Sequence, residues 1–363
     1  MKTVFIRADA SLAIGTGHVM RCLVLADALR GRGADVHFLC RALEGHLADL
    51  IANRGFAVHL LPPGSDGYVD LSDAPPHASW LGALPEEDAA ACRDIIAAVG
   101  GADLLVVDHY ALDHQFEAPL RALVRRIMVI DDLADRRHDC DVLLDQNFGS
   151  DTDLRYENLI PAGAQLLLGA RYAILRHEFR EKRSESLQRR TTPRLENILV
   201  FFGGVDSDDK TSQALEGIKK AKLDHTPEVN VVLGSKSPFI DKIQKKTTKM
   251  PYKTSIHINT NQMAKLMTEA DVSIGAAGTT VLERFCLGLP SIVTPVANNQ
   301  KEYSIKLRDS DLIIYIEDDF DISSNLSKTL KEISEKKLLE ISINTSNICD
   351  GNGIHRVLKT LFD

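Results

Sequence analysis

No apolar run in the chain approaches the roughly 20 residues that a bilayer-spanning helix needs, so no membrane partner is expected. Positive charge is not in excess either. Lys and Arg number 43 against 51 Asp and Glu, a net charge of −8, which argues against an extended basic surface for nucleic acid. The six cysteines, at positions 22, 40, 92, 140, 286 and 349, contain no C-x-x-C pair. They read as reduced, mostly buried thiols of a cytoplasmic protein, not as metal ligands or a disulfide framework. No His, Cys, Asp and Glu cluster shows a metal-ligand spacing, so neither a metal nor another cofactor is expected. The opening MKTVFIRADA lacks a long apolar segment and is not expected to be a signal peptide. Hydrophobic residues at 44% and charged residues at 26% fit an ordinary globular protein, and 363 residues predict two domains.

The most informative stretch is RADASLAIGTGHVMRC (7–22). The apolar run Val4-Phe5-Ile6 leads into it as a buried strand. Gly15 and Gly17 bracket Thr16 and allow a tight turn with little bulk near a ligand. Val19, Leu23 and Ala26 then recur at helical spacing, so a helix starts at or just before His18. Helix starts offer free N–H groups and partial positive charge, which suit an anionic ligand and disfavour an imidazolium. His18 is therefore expected to be neutral and able to take a proton. The plainer reading, in which it only caps the helix or binds a phosphate, stands beside that one.

Both halves alternate short apolar runs with amphipathic stretches, which predicts α/β domains built on parallel sheets. Strands are expected at 35–40, 56–61, 104–107, 127–130, 142–144 and 166–168, with helices over 86–99 and 113–124. Residues 64–85, rich in Gly, Asp, Ser and Pro, read as a long exposed loop. Ligands of open parallel sheets sit beyond the carboxyl ends of strands, so the Gly15–His18 turn and Asp108-His109-Tyr110 should line one crevice. Asp108 and His109 read there as loop-anchoring turn residues. Asp131-Asp132 are read as turn and helix caps in preference to a metal pair.

The charged segment 171–194 reads as a linker helix and connector, giving domains at 1–170 and 195–363. Composition shifts there: 20 Arg and 2 Lys precede residue 196, while 3 Arg and 18 Lys follow, a mark of separate sequence histories. The second half holds expected strands at 198–202, 229–233, 254–258, 272–274 and 289–294. Asp206 or Ser207 should cap its first helix. GAAGTTVLERFCLG (275–288) is a second glycine-bearing strand-to-helix turn, with Ala277, Gly278, Thr279 and Thr280 as a candidate anion cradle. Two doubly wound halves facing each other would take a ligand in the cleft between them.

Six motifs in this order resemble one family: RADASLAIGTGHVMRC (7–22), VVDHYALD (106–113), IDDLADRRHDCDVLLDQN (130–147), YAILRHEF (172–179), GAAGTTVLE (275–283) and NNQ (298–300). The chain is similar to UDP-sugar hydrolases that release 2,4-diacetamido-2,4,6-trideoxy-L-altrose in pseudaminic acid biosynthesis. That family is related to the murein-type N-acetylglucosaminyltransferases, with two Rossmann-like domains of GT-B type. The resemblance implies a UDP-sugar substrate and no obligate protein partner. It makes His18 the general base on the attacking water, and Tyr110 a residue of the sugar site. Arg176 becomes a substrate-binding arginine, and Asn299 lies at the sugar or the water. Gly278, Thr279 and Thr280, with Ala277, receive the diphosphate; Glu283 holds the ribose hydroxyls; and Gly15 and Gly17 shape the first turn. Water would attack the anomeric carbon with inversion and without a metal. Rival readings on the same scaffold are a glycosyltransferase, a hydrolysing 2-epimerase and a non-catalytic UDP-sugar binder. The Lys/Ser/Ile-rich tail beyond about residue 320 carries no motif.

Overall fold

The apolar run Val4-Phe5-Ile6 becomes an inner strand of a parallel sheet. The computed structural model describes residues 2–62, 64, 77–149, 153–296, 298–317 and 321–362, with the side chains of 153, 298 and 299 outside that description. In the first unit β1 (Thr3–Ala8), β2 (Asp35–Arg41), β3 (Ala57–Leu61), β4 (Leu104–Asp108), β5 (Ile127–Ile130), β6 (Val142–Asp145) and β7 (Gln165–Leu168) pair in the order β3-β2-β1-β4-β5-β6-β7. Every pairing is parallel. Chain order reverses between β1 and β4, whose register sets Ala8 opposite Asp108. That reversal leaves a crevice at the carboxyl ends of these two strands.

Helices bury both faces of the sheet. Gly17–Arg30 packs Val19, Cys22, Leu23, Leu25, Ala26 and Leu29 on one side, and Pro85–Val99 packs Ala89, Cys92 and Ile96 on the other. All six cysteines are free and buried. Residues 113–124 do not form the single helix expected. His114–Glu117 makes one turn and Ala118–Leu120 a 3-10 turn, because the Pro119 ring cannot continue an α-helical hydrogen-bond ladder. Of the expected loop, residues 65–76 lie outside the described residues.

The second unit repeats the plan. β8 (Asn197–Phe201), β9 (Glu228–Leu233), β10 (Thr254–Ile258), β11 (Val272–Gly275), β12 (Ser291–Val293) and β13 (Ile314–Tyr315) pair in the order β10-β9-β8-β11-β12-β13, again all parallel. Asp206 caps the helix Lys210–Ala221, accepting from the N–H groups of Lys210 at 2.9 Å and Thr211 at 3.0 Å. The reversal here falls between β8 and β11, where Gly275 lies opposite Phe201.

The boundaries differ from those read in the sequence. The units are 1–174 with 353–363, and 175–352. The segment expected as a linker is the helix His177–Arg189, and it belongs to the second unit. Its buried polar face is spent on carbonyls: Ser186 Oγ donates to Leu287 O at 2.7 Å, and Arg190, just past its end, donates to Met267 O and Ala270 O, both at 2.9 Å. Those acceptors sit at the carboxyl end of the helix Met263–Glu269, where partial negative charge favours a cation. The tail beyond 320 is also built structure. Ile322–Glu332 and Glu335–Ile348 stay in the second unit, whereas Gly353–Phe362 returns to the first and adds Val357, Leu358 and Leu361 to the core beside Val19 and Leu23. Burying each such side chain contributes about 1.5–3 kcal/mol, enough to hold a short helix.

Gly275 is required by close approach, since a Cβ there would lie 2.1 Å from Phe201 O. Gly275→Ala should force β8 and β11 apart and destabilise the second unit by about 1–3 kcal/mol. A urea titration followed by circular dichroism would read this as a lower midpoint; an unchanged midpoint would mean the strands relax freely.

Candidate functional site

The first-unit crevice is assembled by the reversal at β1 and β4. β1 ends in a loop closed by Gly15, whose N–H donates to Ser11 O at 2.9 Å and whose φ of +79° suits glycine. Thr16 precedes the helix Gly17–Arg30 without a side-chain cap. His18, in the first turn, is therefore swung over the end of β4. Its Nδ1 lies 2.6 Å from Oδ1 of Asp108, a fully buried carboxylate. Arg21, three residues along the same helix face, grips that carboxylate with Nε on Oδ2 and Nη2 on Oδ1, both at 2.6 Å. The Cys22 thiol adds a contact of 3.3 Å to Oδ2.

Burial alone would raise the Asp108 carboxyl, but Arg21 and His18 overcome that and hold it well below the ordinary carboxylate range. An ionised carboxylate only accepts, so it fixes the His18 proton on Nδ1 and leaves Nε2 as the ring's acceptor. Tyr110 stands edge-on to His18, with ring centroids 4.6 Å apart. Its hydroxyl is not left to solvent: it donates to Asp132 Oδ1 at 2.6 Å. Asp132 in turn lies 3.7 Å from Arg21 Nη1. Asp131 caps a turn, accepting from Ala134 N at 2.9 Å and pairing with Arg136 at 2.8 Å. Among the described residues no group of three or more His, Cys, Asp and Glu could hold a metal ion.

Gly15, Gly17, His18 and Tyr110 thus form one cluster, together with two residues the sequence reading did not select. Asp108 passed there for a turn residue, and Arg21 drew no role. The available signals were an acid closing an apolar strand and the three-residue spacing from His18 to Arg21.

In the second unit, β11 runs into the turn before the helix Thr280–Cys286. The first carbonyl bonds close from Val281 N–H to Gly278 O at 2.9 Å and from Leu282 N–H to Thr279 O at 3.3 Å. The N–H groups of Gly278, Thr279 and Thr280 therefore precede the helical ladder. Buried Arg284 ties the turn down, donating to Ala276 O at 2.5 Å and to Thr280 O at 3.3 Å. Ala277 is buried, Gly278 and Thr280 are half-buried, and Thr279 is exposed. Glu283 Oε1 accepts from Arg176 Nη2 at 3.2 Å, so these two expected ligand residues meet each other. Glu283 Oε2 is buried with no hydrogen-bond partner. Burial raises the Glu283 carboxyl, and Arg176 only partly offsets it. Asn299 lies in the first turn of the helix Asn298–Asp309, and its side chain is outside the described residues.

Two doubly wound parallel sheets with a strand-to-helix turn at each reversal define the GT-B architecture. The chain is similar in fold to Acinetobacter baumannii MurG, with a TM-score of 0.68, 16% identity and 99% of each chain covered. Residues 197–351 match the glycosyltransferase family 28 C-terminal domain. At the level of sequence the chain is related to the UDP-2,4-diacetamido-2,4,6-trideoxy-beta-L-altropyranose hydrolase of Campylobacter jejuni. The two are 28% identical over 289 residues, 79% of this chain and 89% of that protein. An uncharacterized protein of Methanocaldococcus jannaschii is 25% identical over 302 residues, 82% of this chain, and the match spans only 57% of that protein's length. The resemblance drawn from the motifs therefore stands. Among the described residues no helix is long and apolar enough to cross a membrane.

Asp145, at the end of β6, gives the first unit a pH dependence. Burial and then the nearby Asp132 charge push its carboxyl up to about 7, although Arg155 pairs with it at 2.7 Å. An unfolded aspartate ionises near pH 4, so between about pH 4 and 7 the unfolded chain loses a proton that the folded one keeps. Stability should fall as pH rises through that window. Urea titrations of Asp145→Asn should lack this decline, gaining on the order of 2 kcal/mol relative to the parent between pH 5 and pH 8. Parallel pH profiles for the two proteins would contradict it.

Proposed function

We propose that the chain hydrolyses the anomeric C–O bond of a UDP-linked, N-acetylated deoxy sugar, with His18 as general base. The observation that carries this reading is the 2.6 Å bond from His18 Nδ1 to Asp108, which leaves Nε2 as the acceptor. In the reaction, Nε2 takes a proton from water while the water oxygen bonds to the anomeric carbon on the face opposite UDP. The C–O bond breaks with its electron pair going to the diphosphate, and the sugar leaves inverted. Asp108 stabilises the imidazolium that forms and orients its ring, and Arg21 keeps Asp108 ionised. The N–H groups of Gly278, Thr279 and Thr280 offset the leaving-group charge, which is why the scheme calls for no metal. Glu283, with its unpartnered Oε2, accepts from the ribose hydroxyls. The Campylobacter jejuni relative's name supports the 2,4-diacetamido-2,4,6-trideoxy sugar as the substrate class.

A second reading is favoured by the family 28 match at residues 197–351: transfer of the sugar to an acceptor other than water. Release of UDP without any acceptor separates the two. Hydrolysis predicts full turnover in buffer, and acceptor-dependent turnover would move the assignment to a transferase. His18→Asn should lower kcat about 10²–10⁴-fold with KM little changed, the range expected on losing a general base. Asp108→Asn should also lower kcat steeply, because the imidazole loses the acceptor that fixes its tautomer. Near-normal turnover of His18→Asn would remove His18 from the role of base, and binding without cleavage in the parent would make the chain a UDP-sugar binder.

A further inference from the structure

Beside His18 and Tyr110 lie two rings, Trp80 and His77, that the hydrolysis scheme leaves without a role. The Trp80 ring stands 6.0 Å from that of Tyr110, tilted by 29°. His77 packs against both, 5.2 Å from Tyr110 and 4.6 Å from Trp80 between ring centroids. Trp80 closes the 3-10 turn Ala78–Trp80, which His77 precedes, just ahead of the helix Pro85–Val99. His77, Trp80 and Tyr110 are all half-buried, so each ring keeps part of its surface open. Tyr110 is held in place by its hydroxyl bond to Asp132, while His77 Nδ1 is buried with no hydrogen-bond partner. The His77 ring is therefore fixed by packing. Burial pushes its imidazole below the ordinary value, against the opposing charge of Asp135, and so favours the uncharged ring.

The result is an uncharged aromatic shelf that begins 4.6 Å from the His18 ring. Such a surface matches C–H groups and methyls and offers little to a hydroxyl or a phosphate. A sugar whose anomeric carbon is presented to His18 has its remaining ring substituents within a few ångströms of it. We infer that Trp80 and His77, together with Tyr110, form a subsite for the acylated, deoxygenated face of the sugar. The subsite takes acetamido and C6 methyl groups and selects them over a fully hydroxylated hexose. Discrimination of this kind is worth about 10–200-fold per methyl-sized group in an apolar pocket. The inference rests on the proposed function only in taking a UDP-sugar as the ligand and His18 as its neighbour.

Trp80 is the one tryptophan of the chain, so its emission reports on the shelf directly. The probes are UDP, UDP-glucose and UDP-N-acetylglucosamine, added to the full chain with calorimetry and fluorescence read in parallel. UDP-N-acetylglucosamine should quench or shift Trp80 emission and bind at least tenfold more tightly than UDP-glucose, and UDP alone should leave the emission unchanged. Trp80→Ala should lose at least tenfold in affinity for UDP-N-acetylglucosamine relative to UDP, with Trp80→Phe retaining most of that preference. Equal affinity for the two UDP-sugars, affinity for neither, or calorimetric binding with silent emission overturns the shelf. None of these readouts needs turnover. A Trp80 response to UDP-N-acetylglucosamine together with no cleavage of a UDP-linked 2,4-diacetamido-2,4,6-trideoxy sugar would sink the hydrolase reading and leave the shelf, and turnover of that sugar with a silent Trp80 would do the reverse.

Discussion

A single buried carboxylate organises the first unit's site. Asp108 lies at the end of β4 with no exposure, where an unpaired charge would cost several kcal/mol. The Arg21 fork and the His18 ring compensate it, and both come from one helix that starts at the neighbouring strand's turn. Their geometry is coupled. Moving the helix start would loosen the Arg21 grip, and losing Arg21 would leave Asp108 free to take up a proton and stop accepting from His18. The tautomer of one imidazole therefore depends on how β1, β4 and the helix Gly17–Arg30 pack.

The strand ends around it carry Arg–carboxylate pairs as well. Arg7 pairs with Asp9 at 2.6 Å and with Asp88 at 2.8 Å, Arg136 with Asp131 at 2.8 Å, and Arg155 with Asp145 at 2.7 Å. Arg41 joins Asp88 at 2.5 Å, and that carboxyl is held down to about 2 against its burial, chiefly by Arg7 and Arg41. Apolar pairs of similar volume would stabilise such positions as well or better. What ion pairs add is direction. Each Arg fixes a carboxylate's orientation, as Arg21 fixes that of Asp108 against His18, and the other pairs tie together the strand ends and loops around the site.

Much of this is legible in the sequence, and the illegible part has physical causes. Strand, turn and helix at residues 3–30 follow from the apolar run, the glycines and the 3.6-residue period. The convergence of His18 with Asp108 and Tyr110 follows from the carboxyl-end rule for parallel sheets. The role of Asp108 does not, because an aspartate after a strand reads as a turn cap until its partner is placed opposite it. The helix His177–Arg189 looks like a solvated linker because Ser186 and Arg190 are polar, yet both are buried on carbonyls of the second unit. Gly353–Phe362 returns to the first unit, a long-range choice that no local pattern encodes. His77 and Trp80 fall in a stretch whose Gly, Pro and Ser content hides two rings that pack beside Tyr110.

Hydrolase and transferase readings need the same departure of UDP and the same base, so the residues proposed to hold the nucleotide cannot discriminate them. The family 28 match falls in the second unit, where Gly278, Thr279, Thr280 and Glu283 lie, and it speaks to that shared half of the chemistry. Discrimination has to come from what surrounds the base. In the first unit the groups around His18 are a carboxylate already saturated by Arg21, a tyrosine whose hydroxyl is already committed to Asp132, and uncharged rings. The carboxylate and the tyrosine hydroxyl are already committed, and the unpartnered Nδ1 of His77 is buried, so none of the three is placed to orient the hydroxyl of a large acceptor. In the proposed reaction a water molecule needs only Nε2 of His18, and this is the physical argument for preferring water as the acceptor.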